Sequence, residues 1–265
     1  MGKGETTNGK INWTQAWSES PYLPHWATAV WKTAIGLFGL SILFWSLSIM
    51  QGSPYWLIYL THWMLLTHCV YLVFQAITTV NVHFRVGRDS EVWKKPGMPL
   101  FIRATWFCQI VCIPGGLLVC ILYWNLLAPP NPPVQNYFVH ALVWAVCMLD
   151  FLIGMQPYVL VQNLWFVIWA LFYAIWTIIQ GYSGIGNGYA VTDPNYCECV
   201  YGIVNWKVAA GKAALFAFGV PLVAVPILCF VIWITNFFRI QAIYKINGLS
   251  DGRAIVIGKG DGNQV

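Results

Sequence analysis

Charge is scarce in this sequence of 265 residues, of which 9% are charged and 58% are hydrophobic. Once its long apolar segments are counted, no stretch remains for a soluble catalytic domain, so any function must lie in a helical bundle or its short loops. The formal charge of +5 is spread along the chain without a continuous basic run. This distribution argues against a nucleic-acid partner and is typical of contact with the anionic headgroups of membrane lipids.

Metal-binding patterns are also missing. The sequence has no Cys-x-x-Cys pair, and His62 and His68 point to different faces of one predicted helix. His68 and His140 differ in depth by about 15 Å at the helical rise per residue. Neither spacing suits a zinc site or two ligands of one haem. We therefore predict no metal and no cofactor.

Six of the eight cysteines lie in apolar segments, where a thiol behaves as a small hydrophobe. Cys197 and Cys199 lie instead in the connection 181–212. Because a bridge between residues two apart is strained, the sequence leaves open whether these two are bridged to each other, paired with another chain or free. It leaves the oligomeric state open as well.

What the chain does contain is six long apolar segments, each near or above the ~20 residues that cross a bilayer. They lie at 33–50, 55–80, 104–127, 137–155, 158–180 and 213–238. We predict an all-α, polytopic membrane bundle of six transmembrane helices. Its parts are a cytosolic N-terminal segment 1–32, the six-helix domain 33–238 and a cytosolic C-terminal tail 239–265.

The positive charges give the bundle a direction. All but two of the 14 Lys and Arg residues fall on the N-terminal segment, on alternate connections and on the C-terminal tail; the exceptions are Lys207 and Lys212. The positive-inside rule therefore predicts that both termini are cytosolic. We favour the plasma membrane over the endoplasmic reticulum. The N-terminus also satisfies the permissive N-myristoylation pattern at Gly2, which would add little to six spans.

Polar residues inside the spans are few and costly to insert, so each calls for an explanation. They are Thr61, His62, His68 and Gln75 in the second segment, and His140 and Asp150 in the fourth. Counted from the outer ends of these segments, Thr61 and His140 lie roughly 9 and 4.5 Å deep.

A hydroxyl and an imidazole at similar depth are the minimal parts of a nucleophile and its general base. The alternatives are a Thr bonded to its own helix and a His satisfied by a neighbouring backbone. His68 would lie deeper, as a supporting or channel residue. Asp150 is expected to pair with a neighbouring helix or to reach cytosolic water.

Three runs of residues resemble one family of membrane proteins. They are YLTHW at 59–63, HALVW at 140–144 with LD at 149–150, and YGIVNW at 201–206. Over roughly residues 25–240 the chain resembles the rolling stone family, named for an insect myoblast-fusion factor. That family is in turn distantly similar to the androgen-induced-gene family of membrane hydrolases, which cleave fatty-acid esters of hydroxy fatty acids.

The resemblance implies a lipid-ester substrate, with Thr61 as nucleophile and His140 as base. Further candidates for binding substrate or supporting the pair are His62, His68, Trp144, Asp150 and Asn205. Two features depart from the pattern: Asn205 stands where an Asp is expected, and residues 195–199 form a cysteine-bearing insertion.

The rolling stone name implies a second class of function, a non-enzymatic membrane protein in cell-cell fusion or adhesion. Its contact surface would be the connection 181–212, which is rich in tyrosine and glycine. A channel or transporter needs a continuous path of polar residues through the bilayer. The polar residues inside the spans are too few to form such a path, so this class of function is disfavoured.

Overall fold

The computed structural model describes residues 13–49, 54–86, 100–188 and 196–247. Within these ranges the chain is helical and has no β-strand, and six helices are long and apolar enough to cross a membrane. The helices are α1 (Trp13–Ser18), which is short, and the six spans α2 (His25–Ile49), α3 (Leu60–Phe84), α4 (Leu100–Leu127), α5 (Val134–Ile153), α6 (Leu160–Ser183) and α7 (Ala210–Ile243). The predicted all-α bundle is confirmed, and the chain is an integral, multi-pass membrane protein.

Two spans extend past their predicted limits and thereby carry a buried cation into the bundle. Helix α2 begins at His25 and therefore contains Lys32, and helix α7 continues past residue 238 and contains Arg239. Both cations are buried rather than exposed at a membrane surface. The predicted spans ended at 33 and 238 because Lys32 and Arg239 were expected to lie at the membrane surface. Instead Lys32 pairs with Asp150, and Arg239 donates to the Phe151 carbonyl oxygen, inside the bundle. The Gly2 pattern and the residues 189–195 lie outside the described residues.

Close helix packing brings α3 to the centre of the bundle. Gly36 and Gly39 of α2 face Leu72 and Ala76 of α3, and a Cβ added at Gly36 would lie 3.1 Å from the Ala76 Cβ. Small residues allow this approach because membrane helices associate through packing rather than through a hydrophobic driving force. Helix α4 also packs against α3, and its buried Pro114 is accommodated inside the helix.

Short π-helical stretches interrupt the spans. In the described residues they are Asn81–Val86, Tyr123–Leu127, Phe138–Leu142 and Val220–Ala224. A π turn holds an extra residue, redirects the side chains next to it and is frequent at functional sites. The last three stretches lie towards the end of the bundle where α3 begins, and Pro221 lies in the last of them.

Candidate functional site

Thr61 lies in the first turn of α3, which begins at Leu60. Its hydroxyl oxygen is 3.4 Å from the Nδ1 atom of His140 on α5. This separation is longer than most protein hydrogen bonds. It lies within the looser range that nucleophile and base adopt before a substrate binds. The structure thus brings together the two residues that the sequence placed at similar depth.

The His140 ring is held in one orientation. It lies on the π-helical stretch Phe138–Leu142 and stacks on the Tyr123 ring, with centroids 3.5 Å apart and planes 5° from parallel. Tyr123 is itself held by the Asn136 amide, which donates to its hydroxyl oxygen. If Nδ1 accepts the Thr61 proton, the neutral ring must carry its hydrogen on Nε2.

Beside Thr61 lies a narrow apolar cleft with a cavity volume of about 70 Å³. Helices α3, α4, α6 and α7 form its walls, and residues 201–204 close one side. Its polar side chains are Thr61, Tyr123, Tyr173, Thr177 and Tyr201, and the rest are mainly aliphatic. We call this space the Thr61 cleft. A cleft that is largely apolar with a few polar groups is the usual form of a site for an apolar ligand.

Tyr201 reaches into the Thr61 cleft from the connection between α6 and α7. Its hydroxyl oxygen accepts the Leu60 N–H at 3.1 Å. Burial raises the pKa of Tyr201 to about 12, and hydrogen bonds with Tyr173, Leu60 and Thr61 oppose the rise. The phenol is therefore protonated at neutral pH.

The same connection folds over the start of α3. The Tyr59 hydroxyl donates to the Asn187 carbonyl oxygen, and the Trp206 indole N–H donates to the Thr177 hydroxyl at 3.2 Å. Residues 197 and 199 form a disulfide with each other.

Two predicted supporting histidines bond to backbone and do not line the Thr61 cleft. Nδ1 of His62 is 2.6 Å from the Trp56 carbonyl oxygen, and the two rings stack with centroids 4.5 Å apart. Nδ1 of His68 is 2.6 Å from the Met64 carbonyl oxygen in its own helix. Both imidazoles thus have backbone partners in the bundle.

Trp144 and Asn205 also bond to backbone outside the cleft. The Trp144 indole N–H donates to the Ile113 carbonyl oxygen at 2.9 Å and joins α5 to α4. The Asn205 side-chain oxygen accepts the Val208 N–H at 3.1 Å. Because an Asp carboxylate could accept the same bond, Asn in place of the expected Asp keeps this local contact.

Asp150 lies deep in the bundle, ten residues after His140 and therefore about 15 Å from it along α5. Its carboxylate accepts from Lys32 at 2.7 Å and from the side chains of Trp31 at 2.9 Å, Gln75 at 3.1 Å and Tyr71 at 3.2 Å. The expected pairing with a neighbouring helix is present. Full partnership of this kind is what a buried charge requires.

Arg239 provides a second buried cation near this pair. Its guanidinium donates to the carbonyl oxygens of Phe151 and Gln156, and it lies 4.2 Å from the centre of the Phe151 ring. These contacts tie α7 to the turn between α5 and α6. They explain how α7 can carry a positive charge inside the bundle.

Sequence reasoning missed the tyrosines of the site. Tyrosine near the end of a span is expected of the interfacial belt, so Tyr123 carried no functional signal of its own, and Tyr173, in the middle of α6, was given no role. Tyr201 was considered only as the first residue of the YGIVNW run and as one of the tyrosines of the connection 181–212.

Comparisons of the chain with protein families, with curated proteins and with solved structures find no match.

Proposed function

We propose that the protein is an intramembrane hydrolase of lipid (fatty-acid) esters, with Thr61 as nucleophile and His140 as general base. The observation that carries the proposal is the 3.4 Å separation of Thr61 and His140 at the edge of the apolar Thr61 cleft. The resemblance to the rolling stone and androgen-induced-gene families supports the same two roles.

The cleft suits a lipid substrate. An acyl chain would lie among the aliphatic walls with its carbonyl carbon at Thr61, the hydroxyl that lines the cleft beside His140. With the cytosolic side assigned by positive charge, Thr61 lies in the outer leaflet, and we favour the plasma membrane. A lipid would then enter laterally, and water would arrive from the outer face.

The reaction follows from the two groups. The Thr61 oxygen attacks the ester carbonyl carbon while its proton passes to Nδ1 of His140. The electron pair of the carbonyl bond moves onto the carbonyl oxygen and forms a tetrahedral intermediate. When that pair returns, the bond to the alcohol oxygen breaks, and His140 gives its proton to the leaving alcohol. A water molecule repeats the sequence on the acyl-Thr61 ester, releasing the fatty acid and restoring Thr61.

The test uses purified protein, a fluorophosphonate probe and a panel of fluorogenic long-chain esters. Thr61→Val and His140→Ala should each lower turnover by about 10³-fold or more, and the double variant should be little worse than either, because the two groups act as a unit. Thr61→Ser should retain some activity.

Thr67→Val is the matched control. Thr67 is on the same helix and donates to the Trp63 carbonyl oxygen at 2.8 Å, outside the Thr61 cleft. Its loss should leave probe labelling and turnover unchanged. Labelling that survives in folded Thr61→Val and His140→Ala would refute the proposal.

One observation favours the non-enzymatic alternative, a role in cell fusion or adhesion. On the connection between α6 and α7, Ile185, Ile203 and Val208 expose 44%, 44% and 82% of their surface. An apolar rim of this kind suits contact with another membrane or protein. The alternative gains support if the purified protein neither reacts with the probe nor cleaves any ester, and cells lose fusion when Val208 is changed to Asp.

A further inference from the structure

The start of α3 is capped from a distance. Tyr59, the residue before the helix, makes no side-chain bond to the free N–H groups of the first turn. The Tyr201 hydroxyl oxygen takes the Leu60 N–H instead, across 141 residues of sequence. A phenol oxygen is thereby held next to Thr61, at the positive end of the helix dipole.

The bond at Leu60 uses the Tyr201 oxygen as an acceptor, so its own proton remains available to donate. Tyr173, its neighbour in the cleft, already donates its proton to the Ile58 carbonyl oxygen at 2.9 Å. Tyr173 can therefore only accept from Tyr201. The Tyr201 proton therefore lies between the oxygens of Tyr173 and Thr61, which both line the cleft, and a substrate carbonyl oxygen in the cleft can accept it in their place.

We propose that Tyr201 is a catalytic residue that donates a hydrogen bond to the substrate carbonyl oxygen as Thr61 attacks the carbonyl carbon. The inference rests on the proposed function. Negative charge develops on that oxygen in the tetrahedral intermediate, and a fixed donor in a dry cleft stabilises it strongly. Tyr201 keeps its proton throughout, so the balance of the reaction is unchanged: the proton of Thr61 still passes through His140.

The backbone places the phenol for this task. The Leu60 N–H polarises the Tyr201 hydroxyl and makes it a better donor, as in any chain of hydrogen bonds. Because the pKa of Tyr201 is raised to about 12 by burial, the donor persists over the whole range of pH in which a membrane enzyme works.

The test is Tyr201→Phe, which removes the hydroxyl and keeps the ring. We expect kcat and the rate of fluorophosphonate labelling to fall by about 10²-fold to 10³-fold, as for loss of one oxyanion donor, while KM changes less than about threefold. Tyr182→Phe is the matched control, because that exposed hydroxyl lies 3.5 Å from the Trp206 carbonyl oxygen and outside the cleft. It should retain wild-type rates.

A capping role alone predicts a different result. Loss of the cap would lower the thermal stability of Tyr201→Phe and raise KM, with kcat unchanged. That outcome, or a Tyr201→Phe variant with wild-type kcat and labelling, would overturn the inference. If Thr61→Val is inactive in the same experiment, the proposed function still stands. If Thr61→Val is also fully active, both fail. An alkyl trifluoromethyl ketone, which forms a tetrahedral oxyanion on the nucleophile, should lose affinity for Tyr201→Phe by the same factor as kcat.

Discussion

The buried ion pair between Lys32 and Asp150 gives a sharp test of how the bundle is held together. The two side chains expose 1% and 0% of their surface and approach to 2.7 Å. Lys32→Met removes the cation and leaves the carboxylate with neutral donors only. Removing one partner of a buried pair costs about 3–5 kcal/mol, so we expect the free energy of unfolding in detergent to fall by about that amount.

The double variant Lys32→Met, Asp150→Asn decides whether the cost comes from the stranded charge. The amide at position 150 is neutral and its oxygen can still accept hydrogen bonds from Trp31, Tyr71 and Gln75, so the double variant should recover most of the loss. Because Asp150 is about 15 Å from His140 along α5, probe labelling should be unaffected in folded protein. Wild-type stability of Lys32→Met, or a double variant less stable than the single one, would refute this account.

Three further expectations concern packing, orientation and pH. A Cβ at Gly116 would lie 2.5 Å from Cδ1 of Trp144, so Gly116→Ala should lower the free energy of unfolding by about 1–3 kcal/mol. Gly219→Ala is the control and should leave stability unchanged, because a Cβ there would have no atom within 4 Å. Equal melting temperatures for the two variants would contradict this expectation. With a cytosolic N-terminus the sequon at Asn12 is never glycosylated while one inserted at 181–212 is, and a glycosidase-sensitive shift abolished by Asn12→Gln would reverse the orientation. Burial raises the pKa of Tyr201 to about 12, so the stability that this group contributes is complete below its unfolded pKa of about 10 and is lost as pH rises towards 12. The melting temperatures of wild type and Tyr201→Phe should therefore converge between these two pH values. A constant difference between the two melting temperatures would show that the pKa shift is absent.

The spans were predictable because length and apolar composition are local properties. Their ends were less so, since Lys32 reads as a boundary charge until its partner, 118 residues away, is known. The meeting of Thr61 with His140 was accessible from helical rise, because both lie within a few residues of a span end. The position of Tyr201 was not, since its contact with Leu60 is made by a loop that folds back over the bundle, and no periodicity encodes such a contact.

The Lys32–Asp150 pair also imposes an order on biosynthesis. Helix α2 reaches the bilayer with its cation before Asp150 has been made, and at roughly 5–20 residues per second the 118 intervening residues take about 6–24 s to translate. During that time the Lys32 ammonium has to remain at the headgroup level on its flexible stem. Helix α2 can therefore settle to its final depth only after α5 has been synthesised, and a nascent chain that stops before α5 would expose an unpaired charge to the cell's quality control.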